Sequence, residues 1–344
     1  NTGGTQIAGA TNNTYTPSIY NAVGTFYYYA EISLDGNGCN LAFSDAFEIN
    51  VLTDPIIDAQ PIAAQELCQN ATPTDLAVVV SGGTTAAKTY QWYRNTANNT
   101  NSGTVIPGAN ANIYTPETTT VGDLYYYAVI TQPESGCAVT SAVSVLKINE
   151  APTFTTQPTS SEICLNGNAT LLEINYENGT GTPTYQWFSN TEDNTSSGSK
   201  ITDETNNTYN PLTNTAGEIF YYAVISFSSG GCSEIVSSTA SVVINKIPVI
   251  NDAEVTIYSE DTFNFDPISN IGNTVPNGTK YTWPEPTYTP VGSIIGASAA
   301  PNPQDNISQM LENTGTSVVV VTYIITPATI ACIGDPFVLK VTVN

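Results

Sequence analysis

The stretch "GDLYYYAVITQPESGC" (residues 122–137) sets three tyrosines in a row ten positions ahead of a cysteine. The arrangement recurs as "GTFYYYAEISLDGNGC" (24–39) and "GEIFYYAVISFSSGGC" (217–232). In each copy the last aromatic of the run (Tyr29, Tyr127, Tyr222) keeps the same distance from its cysteine (Cys39, Cys137, Cys232). A spacing held three times marks a repeated structural unit, so the repeat governs how everything else is read.

Outward from that run the register extends. "YQWYRNTANNTNSGTVIPGANANIYTP" (90–116) aligns without a gap on "YQWFSNTEDNTSSGSKITDETNNTYNP" (185–211). Upstream of each stands a cysteine beside a polar turn, in "ELCQNATPTDLAVVV" (66–80) and "EICLNGNATLLEI" (162–174). Complete units are expected at 58–151 and 152–247. The opening "TGGTQIAGATNNTYTP" (2–17) continues the same pattern, so 1–57 reads as a unit lacking about its first forty residues. Residues 248–344 keep a Tyr-x-Trp strand in "NGTKYTWPEPTYTP" (277–290) but lose the triple aromatic, and read as a sandwich of a different subtype.

The local signals are for strands. "TDLAVVV", "TYQWY", "LYYYAVI" and "SAVSVLKI" are short, rich in β-branched and aromatic residues, and bounded by Gly, Asn, Pro and Ser. No stretch sustains a helical apolar period with caps. About seven short strands in about 95 residues predict an all-β chain, a tandem array of Greek-key β-sandwiches with very little helix. The proline-bearing linkers "NEAPTFTTQP" (149–158) and "NKIPVIND" (245–252) are short, which predicts a stiff connection.

Composition excludes several functions. Seven Lys+Arg against thirty Asp+Glu leave a net charge of −23, which repels nucleic acid and anionic membranes. The sequence contains no histidine, so imidazole acid–base chemistry and His-ligated zinc are absent from this segment. No apolar run approaches the roughly 18–20 residues of a membrane span. No acid–base pair, nucleophile constellation or cofactor-binding pattern stands out. Asp252, Glu254, Glu260 and Asp261 read as a solvated acidic patch, with a calcium site as the alternative.

The pattern YQWY…NSGT…YTP…YYY…GC resembles the immunoglobulin-like repeats of giant surface proteins in Bacteroidetes. The final unit, "PNGTKYTW…ISQMLENT…VVVTYIITP…C…FVLKVTVN", looks like the PKD-like repeats found beside them. The resemblance implies an extracellular, non-enzymatic segment of a large cell-surface adhesin, exported by type 9 secretion and serving attachment and gliding. It implies neighbouring repeats as partners, and surface polysaccharides or other surface proteins as ligands. Two other readings stand beside it: a glycan-binding module, and accessory domains of a secreted hydrolase.

Three sets of residues carry expectations of their own. Trp92, Trp187 and Trp283 occupy the strand where such a domain keeps its core tryptophan. Tyr125 and Tyr127 point to one sheet face, and Glu31 stands where Val129 does, a hint of partial exposure; the face reads first as strand packing that needs bulk on both sides, with a glycan-stacking ligand platform as the alternative. The cysteines Cys68, Cys137, Cys164 and Cys232 are disulfide candidates. Family-style regularity favours pairs within a repeat, Cys68–Cys137 and Cys164–Cys232, leaving Cys39 and Cys332 without clear partners. Geometry disagrees, because an ordinary immunoglobulin topology puts those positions roughly 20–25 Å apart, whereas a disulfide needs Cα atoms within about 7 Å. Bridges across junctions, Cys68–Cys232 and Cys164–Cys332, stay open as the alternative.

Overall fold

A computed structural model describes residues 3–33 and 41–344. Apart from one 3-10 turn at Pro267–Ser269, all regular structure among the described residues is β. Alternating apolar and polar positions give each long strand one face for a core and one for solvent or a covering loop.

The chain falls into two compact units: Asn1–Ala151 with Gly230–Cys232, and Pro152–Ser229 with Ser233–Asn344. In the first, β1 (Gly24–Tyr28) pairs antiparallel with β2 (Phe47–Val51), and among the described residues no further strand joins that pair. Beyond it lies a sandwich. Its larger sheet contains β3 (Ala64–Cys68), β4 (Thr89–Asn95), β5 (Gly122–Thr131) and β6 (Ser144–Asn149). The order is β4–β5–β6–β3, with Thr104–Val105 added outside β4 and Ala138–Thr140 continuing along β5. β3 runs parallel to β6, while the remaining pairings are antiparallel. The facing layer consists of short pairs, Leu76–Ala77 with Ile113–Tyr114 and Pro55–Ala59 with Val79–Gly82. Between the layers lie Leu76, Val78, Trp92, Tyr126, Ala128, Ile130, Leu146 and Ile148, a set of side chains drawn from both sheets.

The second unit opens with the same plan. Its strands β7 (Ser161–Cys164), β8 (Thr180–Asn190), β9 (Gly217–Ser229) and β10 (Ala240–Asn245) stand in the order β7–β10–β9–β8, with β7 parallel to β10. Trp187, Tyr221, Ala223 and Ile225 fill the core as their counterparts do. A different sandwich follows, with β11 (Ala253–Ile257), β12 (Lys280–Trp283), β13 (Val319–Ala328) and β14 (Phe337–Val343) in the order β11–β14–β13–β12. Again the first strand lies parallel to the last. A second sheet of Asp261–Phe265, Ile307–Asn313 and Ile294–Ile295 covers a core rich in Val, Ile and Phe.

All three tryptophans are core residues. Trp92, Trp187 and Trp283 are almost completely shielded, and each indole N–H donates to a backbone carbonyl, of Ala111, Asn206 and Ser298. A buried indole needs such an acceptor, since an unmade hydrogen bond at its N–H would cost stability.

Candidate functional site

In the first two sandwiches the parallel strand at the edge of the larger sheet decides where the cysteines go. β3 ends with Cys68 opposite Asn149, the last residue of β6, and β7 ends with Cys164 opposite Asn245 of β10. Within the first sandwich Gly122 opens β5 opposite Ile148, so Cys68 sits at that end of the sheet. Cys137 follows the far end of β5, about 30 Å away at the rise of an extended strand. The expected Cys68–Cys137 and Cys164–Cys232 pairs are therefore not formed. Cys68 is bonded to Cys232 with Cα atoms 4.8 Å apart, and Cys164 to Cys332 at 5.7 Å. Cys332 thus has a partner, Cys137 is free, and Cys39 lies outside the described residues.

At each bridge the asparagine opposite the strand cysteine donates to a glutamate two residues before that cysteine. In the first unit the Asn149 amide donates to the Gly230 carbonyl at 2.8 Å and to Glu66 at 3.0 Å. Lys147 donates to the same carboxylate at 2.9 Å, and these two hydrogen bonds hold Glu66 below the usual carboxylate range. Gly231, at φ +73°, lies so close to β3 that a Cβ would stand 2.5 Å from the Leu67 Cα. Only glycine suits both the left-handed backbone and that approach. In the second unit Asn245 donates to Glu162 at 2.8 Å, and the Thr329 hydroxyl accepts from the Cys332 amide at 2.9 Å.

The proposed tyrosine platform is not exposed. Tyr127 is only 4% accessible and Tyr125 is half-buried. The Tyr127 ring stacks on Tyr93, its cross-strand partner, with centroids 5.1 Å apart and planes 2° from parallel. The segment after β4 folds over this face. The Asn95 amide donates to the Asn99 carbonyl at 2.9 Å, its carbonyl accepts from the Thr96 and Ala97 amides, and Gly103 comes to rest against the Tyr127 hydroxyl. Asn190, Asn194, Gly198 and the stacked pair Phe188–Tyr222 repeat the arrangement. A signal for this was present in the sequence, since "NT…N…SG" stands in both complete repeats.

The acidic cluster is dispersed among backbone partners. Asp252 accepts from the Val338 amide, Asp261 from the Tyr258 amide, and Glu254 faces Lys340 at 3.5 Å. Among the described residues no group of three or more His, Cys, Asp and Glu is placed to hold a metal ion, and no helix is long and apolar enough to cross a membrane. Open depressions among the described residues include one lined by Pro107, Ile113 and Tyr114 and one by Asp252, Val338 and Lys340.

Both complete repeats, 59–150 and 154–246, match one family, described as a domain of unknown function (DUF8696), and together they make up more than half of the chain. The chain belongs to the DUF8696 family. Behind the two DUF8696 repeats, residues 255–344 match a PKD-like domain. Among solved structures, a three-immunoglobulin-domain fragment of titin with Glu-to-Ala mutations is 12% identical. It covers 86% of this chain and 100% of that one, with a TM-score of 0.45. Sidekick-1 immunoglobulin domains 1–5 are 14% identical, covering 92% of this chain and 66% of that one, with a TM-score of 0.34. Extracellular domains 3–5 of Drosophila OTK are 15% identical, covering 85% and 97%, with a TM-score of 0.28. No curated protein sequence matches the chain. Apart from one 3-10 turn, the described residues of the DUF8696 chain form β-sandwiches, the last of which matches the PKD-like domain.

Proposed function

We propose that this chain is a non-enzymatic shaft segment of a large bacterial cell-surface adhesin, serving attachment and gliding motility. The observation that carries the reading is the pair of disulfides. Each joins the end of a parallel edge strand, at Cys68 or Cys164, to a cysteine that follows the long strand Gly217–Ser229 or Val319–Ala328, at Cys232 or Cys332. Disulfides also belong to an oxidising, extracellular setting. The neutral-polar surface with dilute negative charge keeps an exposed filament soluble.

The burial of Tyr127 under the Asn95–Gly103 loop supports the shaft reading over the glycan-binding one. The test is live imaging of the producing cells with a fluorescent antibody against residues 58–247. Label travelling along the cell surface is the expected result. Label found only in the medium would overturn the reading in favour of a secreted enzyme's accessory domains.

A further inference from the structure

The two cystines tie the chain together at two points, Cys68 with Cys232 and Cys164 with Cys332. Three segments run between those points: 68–164, 164–232 and 232–332, spanning 96, 68 and 100 positions. The middle segment holds the long strands β8 and β9. It runs in the opposite sense to the other two, since it starts at the second point and ends at the first. Pairs within each repeat would instead close two separate loops in series.

A pulled chain is limited by its shortest covalent path, at roughly 3.3–3.6 Å per residue. Without bridges, the 264 positions from Cys68 to Cys332 draw out to about 900 Å. With both bridges the two points separate by no more than the 68 positions of the middle segment allow, about 240 Å. If only Cys164–Cys332 is intact, the limit passes to the 96-position segment. If only Cys68–Cys232 is intact, it passes to the 100-position one, and the limit is about 340 Å in either case. Either bridge alone therefore keeps most of the limit.

The fold also shields the bridges. Cys232 is 5% exposed and Cys332 1%, while Cys68 and Cys164 are half-buried. Thiol–disulfide exchange needs an attacking thiolate to reach a bridge sulfur, so the folded sandwiches slow its loss.

We propose that the paired bridges are a redundant extension stop. A load that unfolds the sandwiches between Cys68 and Cys332 draws them out only as far as the middle segment permits, and losing one bridge moves that limit by only about 100 Å. The limit follows from connectivity alone, and only its use under load rests on the shaft reading.

The experiment uses the whole chain with Cys39→Ser, which leaves all four bridge cysteines in place. The chain is tethered by its two ends, held at a constant force that unfolds every sandwich, and exposed to dithiothreitol. The reagent leaves both cysteines of a bridge as thiols and itself as a cyclic disulfide. The expected record is two unequal steps, about 100 Å when the first bridge opens and about 570 Å when the second does. Two steps of about 240 Å each would report pairs within repeats and overturn the proposal. A trace with no step, which reports no bridge, would overturn it as well. These lengths do not depend on where the protein resides, so an imaging result that removes the shaft reading leaves them unchanged.

Discussion

The Ser141 hydroxyl accepts the hydrogen bond of the Ala128 amide at 2.9 Å, in a place that water does not reach, and donates its own proton to the Ala142 carbonyl. Ser237 does the same for the Ala223 amide, also at 2.9 Å. Here the ladder leaves the long strand, and a side chain supplies what the missing backbone partner would have given. Ser141→Ala strands a buried N–H, so it should lower the unfolding free energy by about 1–3 kcal/mol in a urea titration. Ser141→Thr, which keeps the oxygen, should lose less.

A Cβ on Gly103 would stand 2.6 Å from the Tyr127 hydroxyl oxygen. The same contact recurs between Gly198 and Tyr222, and between Gly4 and Tyr29. Because the Tyr127 ring is held flat on Tyr93, it has little room to retreat. Gly103→Ala should therefore destabilise by about 1–3 kcal/mol, the usual scale for overpacking a filled site. A thermal melt of the variant, with Tyr127→Phe as a second background, checks this, because removing the hydroxyl should relieve part of the loss.

The disulfides close loops spanning 164 and 168 positions. On the chain-entropy account each bridge of that length should stabilise by about 2–5 kcal/mol, so the denaturation midpoint should fall on reduction and in Cys68→Ser. A non-reducing peptide map should link Cys68 to Cys232 and Cys164 to Cys332. A fragment linking Cys164 to Cys232 would contradict the connectivity described above.

Burial pushes the Tyr126 and Tyr221 hydroxyls up to about 12, and raises Tyr323 as well. The ordinary tyrosine value is 10.0. Above that value an unfolded chain has released protons that the folded chain still holds, so rising pH favours unfolding. Stability should be level up to about pH 10 and decline through the interval to about 12. Phenolate absorbance should rise in two phases, exposed tyrosines first and buried ones together with unfolding.

At the acid end the sign reverses. Glu66 is held low by Lys147 and Asn149, so the contribution of this cluster is present above the ordinary carboxylate range and is lost as pH falls through the depressed value. The Glu66→Gln variant should show a flatter stability profile there, although the group is exposed and the difference small.

Much of the fold was legible because it is written locally. Strand alternation around Tyr126, Ala128 and Ile130 names the inward face directly, and the Tyr-x-Trp strand names the core tryptophan. Cysteine connectivity was not, for a physical reason. Spacing reports distance along the chain, whereas the pairing depends on β3 crossing to lie parallel beside β6, a relation between segments far apart in sequence. Tyr127 misled for a similar reason. Strand periodicity shows which way it points but not that the loop from Asn95 to Gly103 comes back over it, and Glu31 in the first copy suggested open solvent.

The two disulfide loops interleave, since Cys164 lies inside the span from Cys68 to Cys232, and Cys232 lies inside the span from Cys164 to Cys332. A single backbone cut anywhere between Cys68 and Cys332 is therefore bridged by at least one intact sulfur link. Proteolytic nicking at any exposed turn in that interval leaves the two fragments joined, and they part only when a reductant is added.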